Sequence, residues 1–240
     1  IESAMCEKER FFEPFYYRDI ILSAFRKGAK WMAMPIPRHD YADYEIDVAD
    51  DVPNQDPIKD APACIKSGKD VFVNNHGAGD RLGIEWLRSM FGDKYKFHEV
   101  NQKNIIGHMD SHITILRPGL LLTYHSKDDL PDYFKDWDII NVNAEKDKKT
   151  SMSQTVIDSR IQDGDFENTV LVVNCLSLDT NTVVMWDHYK TETAMIKQFE
   201  KKNIDIMFVP FTYSHFFNQG VTCLTLDLAR HTPEGLVKYQ

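Results

Sequence analysis

Apolar residues at Tyr17, Ile20, Ile21, Ala24 and Phe25 recur at helical spacing, with Pro14 suited to a first turn and Gly28 to a stop. An amphipathic helix over Pro14–Lys27 is predicted. Trp31–Met34 reads as a short strand. Beyond it, Asp40, Asp43, Glu45, Asp47, Asp50, Asp51 and Asp56 crowd a proline-containing stretch that follows neither period. It predicts a solvated acidic loop rather than a cation site, because EF-hand spacing is missing.

A theme then repeats. Asp70–Asn75 is rich in strand formers, Gly77–Asp80 is a turn whose aspartate can cap a helix, Leu82–Phe91 has helical period, and Lys94–Val100 alternates. The same order returns at Leu120–Tyr124, Asp128–Lys135 and Asp138–Val142, and again at Val183–Trp186, Thr191–Lys202 and Ile204–Val209. In the last two copies an extra strand leads in through a tight connection: His108–Leu116 before Arg117-Pro118-Gly119, and Thr169–Leu178 before Asp179–Thr182. Val221–Ala229 is placed to open another copy. Repeated strand-strand-helix-strand units predict an α/β fold of modules packed on one another. A doubly wound sheet is the competing architecture, disfavoured by the Pro-Gly hairpin and the lack of a glycine-rich phosphate loop. Asn143–Phe166 reads as a long polar loop.

Composition narrows the function. The 240 residues are 42% hydrophobic and carry a net charge of −9, a globular balance with no broad basic surface, so nucleic acid and anionic membrane are not expected partners. No apolar run approaches the roughly 20 residues of a membrane helix. The four cysteines, Cys6, Cys64, Cys175 and Cys223, are too sparse for a disulfide scaffold and read as reduced thiols, which points to the cytoplasm. Ile1–Lys8 has neither an initiator methionine nor a signal-peptide apolar run, so the expectation is a chain that starts inside a longer parent.

Candidate chemistry gathers at two predicted strand starts. In a strand over His108–Leu116, alternation puts His108, Asp110 and His112 on one face, which suits a metal site, an acid–base pair or merely a solvated strand end. Alternation over Cys223–Asp227 puts Cys223, Thr225 and Asp227 opposite the leucines. A lone cysteine is commonly a small core residue. If the module-opening strands line a common centre, however, Cys223 and His108 become a Cys/His pair. Asp60 precedes the first module. The aromatic-rich Pro210–Gly220 is either a lid or a buried connection.

Several strings resemble the amidinotransferases typified by L-arginine:glycine amidinotransferase, within the pentein superfamily that modifies guanidino groups. They are Phe11-Phe12-Glu13, Arg26–Trp31, Gly68–Phe72, Leu82–Leu87, His108-Met109-Asp110, Arg117-Pro118-Gly119 and Cys223–Arg230. The resemblance covers nearly the whole chain. It implies a single amidinotransferase-like catalytic domain over residues 1–240, a pentein-type α/β propeller of ββαβ modules, incomplete at its N-terminus.

It also implies roles. Cys223 matches the nucleophile, His108 the general acid and base, and Asp60 the carboxylate working with that histidine. Asp110 matches a guanidinium-binding carboxylate, Lys127 stands where the family has an arginine for the donor carboxylate, and Asn168 falls near the donor in place of a serine. Ala63 and Asn218-Gln219-Gly220 replace a second acidic residue and a glycine triplet. The implied substrates are L-arginine and an acceptor amine such as glycine, giving ornithine and guanidinoacetate with no cofactor and no metal; a homodimer is left open. A hydrolase of the same superfamily and a noncatalytic binding or assembly module are the alternatives.

Overall fold

The computed structural model describes residues 1–2, 12–36, 56–57, 59–75, 78–102, 105, 108–142, 170–210, 220–225, 227, 231–232 and 235–236. Contacts divide the chain into two units. One comprises Ile1–Cys64, Lys69–Asn101 and Leu226–Gln240; the other comprises Ile65–Gly68 and Gln102–Thr225.

In the first unit, α1 (Glu13–Arg26) has Pro14 in its first turn, as the sequence predicts. The Trp31–Met34 stretch makes one parallel bridge, Glu2 to Ala33, and Trp31 Nε1 donates to Glu2 Oε2 at 2.9 Å. Strand β1 (Cys64–Ser67), of which only Cys64 falls in this unit, precedes β2 (Asp70–Asn74), α2 (Ala78–Phe91) and β3 (Lys96–Val100), with β2 and β3 parallel. The leading strand of this module escaped the periodicity because four residues of mixed polarity give no alternation to read.

The second unit holds two further modules. In the first, β4 (Ile113–Arg117) pairs antiparallel with β5 (Leu120–Thr123), and β5 runs parallel to β6 (Asp138–Asn141). In the second, β7 (Leu176–Ser177) pairs antiparallel with β8 (Thr182–Trp186), and β8 runs parallel to β9 (Asp205–Val209) after α4 (Thr193–Lys201). The three three-stranded sheets therefore share one order, β1-β2-β3, β4-β5-β6 and β7-β8-β9. Gly68 and Gly119, at φ 60° and 82°, lie in the two-residue links from β1 to β2 and from β4 to β5, in a left-handed region that other residues resist. The central strands are the most apolar, and Leu120, Leu121, Leu122 and Thr123 are all buried. Leu116, Leu122, Ile140, Val173, Met185 and Phe199 form part of one continuous core. Arg117 reinforces it by donating from Nη2 to the Lys202 carbonyl at 2.7 Å.

The helix expected over Asp128–Lys135 is instead two 3-10 turns, Lys127–Asp129 and Asp132–Phe134. Pro131 lies between them, with no N–H to carry a helix through. A short hairpin, β10 (His231–Thr232) with β11 (Gly235–Leu236), was not anticipated. No helix among the described residues is long and apolar enough to cross a membrane. Most of the acidic loop, the polar stretch from Asn143, the aromatic approach to Cys223 and Asn168 lie outside the described residues.

Candidate active site

The strands predicted at His108 and Thr169 begin later than expected, and the described residues from Val221 open on a turn rather than a strand. Met109–Ser111 is a 3-10 turn before β4, Val170–Val173 is a single helical turn, α3, before β7, and Thr222–Leu224 is a 3-10 turn at the next equivalent position. Ala61–Ala63 forms the same device before β1. Val170–Val173 suits a strand and a helix alike, and the three-residue turns are too short for any period to register, so periodicity misplaced these starts. Alternation therefore does not set which side chains converge. His108, Asp110 and His112 do not share a strand face, nor do Cys223, Thr225 and Asp227.

The turns nevertheless bring two of the candidates together. Cys223 Sγ lies 3.9 Å from Asp110 Oδ2, although 113 positions separate them. Asp110 is buried, next to a completely buried Met109 that anchors its turn. Asn174, immediately after α3 and 1% exposed, was not singled out from the sequence. Its Oδ1 accepts from the Cys223 N–H at 3.2 Å, and its Nδ2 donates to the Asp110 carbonyl at 3.4 Å. Its own carbonyl accepts from the Thr222 N–H at 3.3 Å, while Thr222 Oγ1 donates to the Cys175 carbonyl at 2.6 Å. A lone asparagine in an apolar segment carries no periodic signal; only the fold reveals it.

Cys223 is exposed, yet the atoms packed around its sulfur remove water on one side. That desolvation first, then the Asp110 carboxylate, raises the thiol above its ordinary range; the Gly220 backbone and the Asn174 side chain pull the other way. Gly220 has no room for a side chain. A Cβ there would stand 2.5 Å from the Cβ, carbonyl oxygen and Oδ1 of Asn174. Gly220→Ala is expected to destabilise the protein by about 1–3 kcal/mol, read as a lowered denaturation midpoint, because the colliding atoms include backbone.

His108 is exposed and precedes the Asp110 turn with extended backbone. Lys127 is exposed at the start of its own turn. Asp60 belongs to the other unit, where its carboxylate accepts from the Ala61 N–H at 3.0 Å. His112 points elsewhere: its Nδ1 lies 2.8 Å from His125 Nε2 and 2.5 Å from the Tyr124 hydroxyl. Among the described residues no group of three acidic, histidine or cysteine side chains is arranged to hold a metal ion, so the proposed ligand set of His108, Asp110 and His112 does not assemble.

His125 is buried against His112, and its pKa falls from 6.5 to about 4; burial is the larger cause, His112 the second, with Asp129 opposing. The folded state then binds fewer protons than the unfolded chain between those values, so stability drops as pH falls through that window. The loss is on the order of 3 kcal/mol. His125→Gln is expected to flatten the pH dependence of urea unfolding from about pH 6.5 to 4.

No family model matches the sequence. The chain is 30% identical over 241 residues to inosamine-phosphate amidinotransferase 1 of Streptomyces glaucescens, a match covering 96% of this chain and 64% of that protein. It is 29% identical over 253 residues to the mitochondrial glycine amidinotransferase of Xenopus laevis, covering 96% of this chain and 56% of the relative. The solved structure of inosamine-phosphate amidinotransferase from Streptomyces griseus superposes with a TM-score of 0.75 at 26% identity, covering 99% of this chain and 66% of that one. A dimethylarginine dimethylaminohydrolase shares the fold at a TM-score of 0.59 and 12% identity, covering 92% and 69%. The chain thus spans less than two thirds of the curated relatives described above. It is a homologue of the amidinotransferases and shares its mixed α/β fold, over the part it spans, with the Streptomyces griseus enzyme and with the dimethylarginine dimethylaminohydrolase.

Proposed function

We propose that this chain is the nucleophile-bearing part of an amidinotransferase that takes the amidino group from L-arginine. The observation that carries the reading is a sulfur and a buried carboxylate 3.9 Å apart on two module-opening turns. A guanidinium is planar, cationic and weakly electrophilic. It needs a carboxylate to hold it, a thiolate to attack and an acid to release the amine.

In the proposed sequence the Cys223 thiolate attacks the central guanidino carbon while Asp110 binds the cation. The bond from that carbon to the δ-nitrogen breaks as His108 protonates it, releasing ornithine and leaving an amidino group on sulfur. An acceptor amine then attacks, gives a proton to His108, and the C–S bond breaks to regenerate the thiolate. Lys127 binds the donor's α-carboxylate as a point charge rather than a bidentate fork. The relatives named above act on an inosamine phosphate and on glycine, so the acceptor class is an amine, with glycine as the first candidate. The protein works in the cytoplasm, in keeping with its thiol usage.

Incubation with isotope-labelled L-arginine followed by peptide mapping tests this. The expected result is the label on Cys223 with ornithine released, and transfer to glycine on chasing. Urea release without any acceptor product would replace transfer by hydrolysis.

A further inference from the structure

A buried primary amide must satisfy both its oxygen and its NH₂, and the partners it finds fix its orientation. Asn174 meets a backbone N–H on one side and a backbone carbonyl on the other, so only one arrangement of its amide works. Those two backbone groups belong to Cys223 and Asp110, the residues proposed to attack and to hold the substrate. The surroundings hold the amide in turn: Val172, Val173 and Cys175 are buried around it, Thr114 Oγ1 donates to the Val173 carbonyl, and Gly220 lies against the Asn174 side chain. Three successive module-opening turns are thereby tied through one side chain.

We propose that Asn174 is a positioning residue that sets the Cys223 sulfur and the Asp110 carboxylate to a common separation by bracing both turns. This deepens, and rests on, the amidinotransferase reading. Cys223 presents its sulfur from a turn of only three residues, which has little intrinsic stability of its own. The Asn174 bond to the Cys223 N–H supplies a long-range restraint on that turn, and the bond to the Asp110 carbonyl supplies the matching one. A misplacement of about 1 Å at a reacting centre costs on the order of 10²-fold in rate, so such bracing has direct kinetic consequences. The same amide favours the thiolate, against the influence of burial and Asp110.

The test uses the full chain and two variants. Asn174→Asp keeps the volume and an acceptor for the Cys223 N–H, but turns a carboxylate oxygen toward the Asp110 carbonyl and adds negative charge near sulfur. Asn174→Ser is smaller and loses the reach to both. Iodoacetamide labelling of Cys223, followed by peptide mass spectrometry across pH, reads thiolate formation without arginine or acceptor. The expected result is a profile displaced to higher pH in Asn174→Asp, with labelling near neutrality slowed about tenfold. With arginine, kcat should fall about 10–100-fold in both variants while KM changes little.

A merely structural asparagine would lower the melting temperature and leave the labelling profile and kcat of the folded protein where they were; that result overturns the proposal. If Asn174→Asp does not fold, the kcat of Asn174→Ser decides alone. A displaced labelling profile in Asn174→Ser, which adds no charge, in a protein that never acquires the amidino group would keep Asn174 in its role and discard the amidinotransferase reading.

Discussion

Replacing Cys223 by serine removes the amidino adduct and lowers ornithine release by at least about 10⁴-fold. Serine matches the thiol closely in size, so the Thr222–Leu224 turn and its bond to Asn174 survive; the loss reports chemistry rather than folding. Its hydroxyl ionises far less readily than a thiol, and the surroundings that already oppose the thiolate oppose an alkoxide more strongly. Neither of the other described cysteines offers a substitute. Cys175 is buried with its thiol pushed up to about 12 by desolvation, so it stays protonated, and Cys64 is half-buried on β1, with no place in the proposed chemistry. Peptide mapping after incubation with labelled arginine checks the result. Ornithine released at the wild-type rate from Cys223→Ser would remove the covalent step from the mechanism.

Much of this fold is legible in the sequence. The apolar periods of Asp70–Asn74, Leu120–Thr123 and Thr182–Trp186 are strong because each is the central strand of its sheet, and the repeat is visible because the three copies keep one order. What periodicity misses is the turn that opens each module. Thr222, Cys223 and Leu224 span one 3-10 turn, too short for any period to register, and Val170–Val173 satisfies strand and helix propensity alike. The repeat points to Cys223 with His108, and the resemblance gives Cys223 and Asp110 separate roles; in the structure the Cys223 sulfur lies 3.9 Å from Asp110 Oδ2, on turns rather than strands. Asn174 was out of reach. Its importance lies wholly in two long-range backbone bonds, and a composition of one amide among valines points to neither partner. His112 illustrates the reverse: sequence proximity grouped it with Asp110, whereas stacking on His125 and the Tyr124 hydroxyl hold it in a different cluster.

Asp110→Asn is expected to move two measurements in opposite directions. The carboxylate 3.9 Å from sulfur disfavours the thiolate, so its removal lowers the thiol pKa and speeds iodoacetamide labelling of Cys223 near neutrality, by several-fold to about tenfold. Amidino transfer from arginine should fall by about 10²–10³-fold, with a higher KM, because a charge-assisted bond to the guanidinium is replaced by a neutral amide whose NH₂ faces a cation. A global packing defect does not reproduce this divergence in a protein whose melting temperature is retained, since it would not sharpen the acidity of one thiol while weakening the binding of one cation. The divergence also carries a mechanistic consequence. Burial first and the Asp110 carboxylate second raise the Cys223 thiol, so on the proposed reading a guanidinium bound at Asp110 would offset the second of these influences and favour ionisation of the sulfur. Labelling in the presence of a guanidinium compound that lacks a leaving group should accordingly be faster in the wild type and unchanged in Asp110→Asn. Parallel loss of labelling and transfer in a folded Asp110→Asn protein would remove Asp110 from substrate binding and leave it as a structural support for the turn.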